Sequence, residues 1–151
     1  MLANLKDVKN VLKDLFDSQT LAVLATQGNG QPYTNLVAFA FSQDLQSLFF
    51  ATAQTTRKFA NLSAEPMVSM LVDNRANNPS DFHWAKAVTV TGKAEKIDKE
   101  KEVEITETYL GKHPHLRDFL ASPSCVLIRI RVETYYLVRR FQEVIEIHMA
   151  S

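Results

Sequence analysis

The stretch Phe49–Asp73, FFATAQTTRKFANLSAEPMVSMLVD, decides how the rest of the chain is read. Phe49 to Ala53 is aromatic and apolar, and Pro66 to Val72 is a second β-rich run that begins at a proline. A short helix fits between them. Thr55 or Thr56 serves as its N-cap, the hydroxyl accepting from backbone N–H groups that a first helical turn leaves free. Phe59 and Leu62, three residues apart, then share a face turned to a core. The charge runs against this order. Arg57 and Lys58 fall in the first turn, where the helix dipole already places partial positive charge and cations are disfavoured. Two readings are open. Either both side chains bend into solvent, at a cost of roughly 0.3–1 kcal/mol each, or an anion such as phosphate sits at the helix start. Free N–H groups, threonine hydroxyls and two cations would then converge on it. TTRK alone is too short to choose.

Composition narrows the classes. A chain of 151 residues is expected to form one domain, residues 1–151, with a real core that needs neither disulfide nor metal. Its 17 basic and 17 acidic residues cancel, which gives no electrostatic case for nucleic acid or an anionic membrane. Cys125 is the single cysteine and lies in an apolar strand pattern, so it reads as a small buried hydrophobe rather than a nucleophile. The N-terminal LANLKDVKNVLKDLF is charged throughout, unlike a signal peptide, and no apolar run is long enough to span a bilayer. A cytoplasmic protein is expected.

Upstream of the deciding stretch, Leu5, Val8, Leu12, Leu15 and Phe16 recur at helical spacing and predict an amphipathic helix over Leu2–Phe16. Thr20–Thr26 is a nearly continuous apolar strand, and Gly28-Asn29-Gly30 signals a hairpin. Tyr33–Ser42 alternates. Tyr33, Asn35, Val37, Phe39 and Phe41 form a bulky face, while Leu36, Ala38 and Ala40 leave room for a flat object or another backbone. Ordinary sheet packing under a helix explains the same pattern. Ser47–Ala53 follows, so the first half reads as an antiparallel meander interrupted by the Arg57 helix.

Downstream, Asn74–Ser80 is a polar loop, and Asp81-Phe82-His83-Trp84 leads into an alternating strand over Lys86–Ile97, where Gly92 suggests a bulge. Trp84 is either an interface or cofactor-stacking residue or, more commonly for such a tryptophan, a cap on the core. A charged helix is predicted over Asp98–Leu110, with Gly111 as its C-cap and Glu102, Glu104 and Glu107 on a solvated face. His113 and His115 flank Pro114, too few ligands for a metal site without a third. A helical turn at Leu116–Leu120 precedes strands over Ser124–Val132 and Thr134–Phe141, with a last short one within Gln142–His148. Strands dominate and helices decorate. The predicted class is mainly β (α+β): an antiparallel barrel with peripheral helices.

No glycine-rich phosphate loop, Ser/His/Asp set or CxxC occurs. What remains is an anion site at a helix start, a strand face of small residues and an aromatic at a loop edge, which together suit a planar, phosphate-bearing cofactor. The segments GQPYTNLVAF, LFFATAQTTRKFANL, EPMVSMLVDN and VTVTGKAEKI, in this order and spacing, resemble the FMN-binding split β-barrels related to pyridoxamine 5′-phosphate oxidase. The likeness runs from about Thr20 to Ile97 and more weakly beyond. It implies a homodimer with FMN in the cleft between subunits. By the resemblance, Arg57 and Lys58 hold the phosphate, and Thr52 and Thr56 add hydroxyl or backbone contacts, with Ala51 in the same set. Asn35, Leu36 and Val37 run along the ring through backbone groups, and Trp84 and Lys86 approach from the partner chain.

The departures fall on the substrate side. Asn35 stands where the oxidase has a flavin-contacting arginine, Ala87 where it has a glutamine, and Ala40 where it has a lysine. Its Tyr/Arg/Ser phosphate cluster keeps only Tyr109, with His113 in place of arginine, and the C-terminal arginine and tryptophan signature is absent. Oxidation of vitamin B6 is therefore not expected. The resemblance implies a flavin-dependent oxidoreductase acting on another small substrate. A non-catalytic flavin carrier, a haem-binding barrel using His83, His113 or His148, and a deazaflavin-cofactor reductase are the alternatives.

Overall fold

The computed structural model describes residues 4–140 and 142–149, so the expected helix start at Leu2 and strand end at Phe141 lie outside the described residues. Helix α1 (Leu5–Ser18) opens the chain with Asn4 as N-cap, its side chain accepting from the Lys6 N–H at 2.8 Å. Val8, Leu12, Leu15 and Phe16 form its buried stripe. The helix runs two residues past the expected end at Phe16. Its final turn is tied down by Lys112, whose ammonium donates to the Phe16 carbonyl at 2.8 Å.

Strands β1 (Leu21–Gly28), β2 (Gln31–Phe41) and β3 (Ser47–Ala53) follow as an antiparallel meander. The β1–β2 turn places Asn29 and Gly30 at φ 53° and 81°, the left-handed pair that a two-residue hairpin requires. Helix α2 (Arg57–Ala64) then carries the chain to β4 (Met67–Asp73), which pairs with β1 rather than β3. After the one-turn helix α3 (Asp81–Trp84) come β5 (Ala87–Ile97), α4 (Val103–Lys112), a 3-10 turn at Pro114–Leu116, α5 (Arg117–Ala121), β6 (Cys125–Arg139) and β7 (Glu143–His148). Strand order is β3-β2-β1-β4-β5-β6-β7, and pairing of β3 with β6 closes the first six into a barrel with β7 as an extra strand. The fold is the mainly β antiparallel barrel with peripheral helices that the alternating strands predict, and it agrees with the split barrel that the family resemblance implies.

Period-two alternation sorts the side chains. Leu48 and Phe50 enter the barrel with Phe39, Phe41, Met70, Val88 and Ile128, and Phe16 of α1 meets the rings of Phe39 and Phe41 edge-on at 5.9 and 5.4 Å. Phe49, between them in sequence, points outward into a second cluster with Tyr109, Leu120, Cys125 and Leu127 beneath α4 and α5. Cys125 is buried there, as its apolar setting predicts. Among the described residues, no helix is long and apolar enough to cross a membrane.

Four expectations are corrected. The two strands read on either side of Glu133 are one strand, β6. Thr91 pairs with Thr134 and Gly92 with Val132, so Glu133 is the extra residue of a β-bulge rather than a strand end. Gly92 sits opposite because a Cβ there would collide with the Arg131 carbonyl. Helix α4 begins at Val103, not Asp98, whose carboxylate accepts from the Glu100 and Lys101 N–H groups in a preceding turn. That helix also continues through Gly111 to a cap at His113. Trp84 does not cap the core: it ends α3 and is 77% exposed.

Candidate functional site

β2 changes neighbours in mid-strand. Residues Gln31–Ala38 pair with β1, and only Phe39–Phe41 pair with β3. Below Phe39 the two strands part, and a groove of about 310 Å³ opens between them. Leu36, Val37 and Ala38 line one side and Ala51, Thr52 and Ala53 the other. Leu116 and Phe119 wall one end, and Thr56 and Lys58 line the end at the start of α2. The wall is held by Lys99, whose ammonium donates to the carbonyls of Leu120, Ser122 and Cys125 at 2.6–2.8 Å and so fixes the turn after α5.

Thr56 is the N-cap of α2, its hydroxyl accepting from the Phe59 N–H at 3.3 Å. The Thr52 and Thr56 hydroxyls lie 2.8 Å apart. The N–H groups of Arg57 and Lys58 have no acceptor within the helix. Lys58 is half-buried and makes no ion pair among the described residues, and burial lowers its ammonium pKa. Arg57 is exposed, its guanidinium 5.7 Å from the centre of the Tyr33 ring. Asn35 leaves a buried Oδ1 without a hydrogen-bond partner. A half-buried cation and unused N–H groups at a helix start suit a phosphate ester, the neighbouring Thr52 and Thr56 hydroxyls being within reach of the Ala53 carbonyl at 3.3 and 3.0 Å, and the small-residue walls beside them admit a flat ring. The residues fit a planar cofactor that carries a phosphate.

Leu36, Val37, Ala51, Thr52, Thr56 and Lys58 thus come together in the groove, while Asn35 and Arg57 flank it. Trp84 and Lys86 are elsewhere. Lys86 lines a second cleft of about 430 Å³ with Leu71, Phe82, Ala87 and Val138. Most charges at that cleft are already engaged: Asp73 pairs with Arg75 at 3.1 Å, and the Asp81 carboxylate accepts from the backbone N–H groups of Ala76 and Asn77. Lys86 makes no ion pair among the described residues.

Leu116 and Phe119 were not legible as site residues, since a helical turn far along the chain carries no sign of which strand gap it closes. Among the described residues no carboxylate or imidazole lines the groove; its titratable groups are Lys58 and Tyr109, the latter a phenol whose pKa burial pushes up to about 12. His113 is buried, with Nε2 2.7 Å from the Phe39 carbonyl, and burial lowers its pKa. Its ring stands 6.2 Å from that of His115, and no group of three metal-ligating side chains occurs among the described residues. Arg139 and Arg140 are engaged with Glu143 at 3.4 and 3.9 Å.

A family model described as pyridoxamine 5′-phosphate oxidase matches residues 8–139. No curated protein sequence matches. Among solved structures, the chain is similar to a heme-binding protein from Mycobacterium smegmatis (TM-score 0.81, 13% identity, 98% of this chain and 59% of that one). It is also similar to General Stress Protein 26 from Bacillus anthracis (TM-score 0.70, 19% identity, 94% and 98%) and to a FAD-binding protein from Mesorhizobium loti (TM-score 0.67, 22% identity, 85% and 90%). The chain spans about three fifths of the Mycobacterium protein. At these identities the likeness is one of fold.

Proposed function

The chain belongs to the pyridoxamine 5′-phosphate oxidase family, and on that premise we propose that it binds FMN and serves as a cytoplasmic, homodimeric flavin-dependent oxidoreductase. The observation that carries this reading is the coincidence, at one groove end, of the Thr52 and Thr56 hydroxyls, the α2 start and a half-buried Lys58 with no ion pair among the described residues. Bound flavin supplies hydride or electron transfer. The chain's own residues supply position: Lys58 and the threonines hold the phosphate, and the backbone of Asn35, Leu36 and Val37 runs along the ring.

The dimer rests on an uncovered sheet face. Register sets Leu36, Val23, Leu71 and Thr89 in one row across β2, β1, β4 and β5. Leu36 is 62% exposed, and Leu21 on the next row is 49% exposed. A second copy covers this face and brings its Trp84 and Lys86 to the groove. The substrate is not pyridoxamine 5′-phosphate, because Ala40 and His113 are buried and offer no fixed cation.

The absorbance spectrum of purified protein, followed by titration with FMN and riboflavin, tests the cofactor. A flavin spectrum with FMN bound more tightly than riboflavin is expected. A Soret band would replace the reading with haem, and mass spectrometry of the released ligand separates flavin from deazaflavin. Sedimentation should give twice the chain mass; a monomer that binds FMN at full strength would refute the interface site. Bleaching of bound flavin by candidate reductants distinguishes an enzyme from a carrier.

A further inference from the structure

Tyr109 and His113, one helical turn apart on α4, both face β2 where that strand changes neighbours. The Tyr109 hydroxyl donates to the Ala38 carbonyl at 3.0 Å, and His113 donates from Nε2 to the Phe39 carbonyl at 2.7 Å. Phe39 lies past the last β1–β2 pair, Leu21 with Ala38, and Ala38 lies past the last β2–β3 pair, Phe39 with Phe50. The two side chains therefore take the carbonyls that each ladder leaves over at its end.

Carried one step further, the β2–β3 register would set Ala38 opposite Ala51. The Tyr109 hydroxyl stands in that place instead. The Ala51 backbone N–H lies close enough to the same oxygen to lower its proton affinity, although burial dominates and pushes the phenol pKa up to about 12. Tyr109 is thus a neutral, buried donor between two strands that would otherwise meet. In the family resemblance its position belongs to a cluster for substrate phosphate; here its hydroxyl is committed to the backbone.

We propose that Tyr109 is a positioning residue that spreads β2 from β3: its hydroxyl replaces the Ala38–Ala51 rung and so creates the groove, with His113 anchoring the adjacent turn of strand. The inference rests on the flavin reading for the identity of the ligand, and not for the wedge itself.

Tyr109→Phe keeps the ring and removes the hydroxyl. Ala38 and Ala51 are then free to pair directly and narrow the groove. FMN and riboflavin should both weaken by about tenfold, the scale of one lost buried hydrogen bond, because the groove wall changes and the phosphate end does not. Amide hydrogen exchange should slow at Ala51 as the new rung forms, a change that loss of packing alone would not produce. Lys58→Met is the control: it should weaken FMN only, so failure of the flavin reading appears there and leaves the exchange result to judge the wedge. Unchanged affinity for both flavins together with unchanged or faster exchange at Ala51 would overturn the proposal. Should Tyr109→Phe fail to fold, exchange in the parent protein decides. The amides of Ala38 and Ala51 should then be less protected than the paired amides of Ala40 and Leu48–Phe50, and equal protection would mean that the rung is already present.

Discussion

Replacing Lys58 by methionine separates two consequences that a generic basic patch would keep together. Lys58 and Arg57 are neighbours in sequence but not in environment. Lys58 is half-buried at the groove end, its ammonium pKa lowered by desolvation, whereas Arg57 is exposed over Tyr33. A charge-assisted hydrogen bond to phosphate from a partly desolvated ammonium is worth about 1.5–3 kcal/mol, roughly 10- to 150-fold in affinity. An exposed guanidinium contributes about 1 kcal/mol or less, within about fivefold. Fluorescence-quenching titration should therefore find FMN weakened 10-fold or more, by about the lower end of that range at least, in Lys58→Met, and only a few-fold, about the size of a surface ion pair, in Arg57→Ala. Riboflavin should bind all three proteins alike. The methionine variant without cofactor should melt no lower than the parent, since it exchanges a half-buried unpaired cation for an apolar side chain. Affinity of the parent for FMN should also fall as pH rises through the lowered pKa of Lys58, because the unliganded ammonium gives up its proton first. Equal losses for FMN and riboflavin, or a larger loss in Arg57→Ala, would refute this assignment of the phosphate end.

Three further outcomes follow from other parts of the fold. Lys112, with its ammonium 3.7 Å from the centre of the Phe39 ring, has its pKa lowered from 10.5 to about 8 by burial, against a smaller opposing pull from Asp17. Between these values the unfolded chain holds more protons, so stability should rise with pH across that window; the unscreened ceiling is roughly 3 kcal/mol, and partial exposure reduces it to about 1 kcal/mol. Urea denaturation of parent and Lys112→Met at several pH values isolates the effect, which should vanish in the variant. Gly92→Ala should cost about 1–3 kcal/mol of stability, the range for overpacking, because the new Cβ meets the backbone carbonyl of Arg131; a neutral result would mean the bulge relaxes freely. Pyridoxamine 5′-phosphate should leave the flavin of FMN-loaded protein oxidised, and rapid anaerobic bleaching would point to a phosphate site other than Ala40, Tyr109 and His113.

The barrel was legible where a single period governs a segment. Tyr33–Ser42 and Lys86–Ile97 alternate cleanly, and Asn29-Gly30 fixes a turn, so β1, β2 and β5 follow from local chemistry. Glu133 misled because one residue of slippage looks the same in sequence as a strand end, and only the partner strand shows that Gly92 absorbs it. Gly111 misled for the complementary reason: helix α4 is held by Tyr109 and His113 against β2, and that packing outweighs the glycine's preference to stop a helix. At the groove, Thr56 and the Arg57-Lys58 pair stood out because they break the dipole rule, while the unequal burial of the two cations belongs to tertiary structure alone.

The seam between β3 and β6 joins residues as far apart in the chain as Ser47 and Arg131. As the chain leaves the ribosome, β3 emerges long before the strand that will cover its edge, and α1 emerges before the barrel whose core it helps to fill. Such non-local pairing is slow to form and leaves unpaired backbone open to other chains meanwhile. The groove walls at Ala51–Ala53 belong to that same late seam. A ligand for the groove can therefore act as a latch on the finished barrel, slowing its opening, but not as a template that starts it.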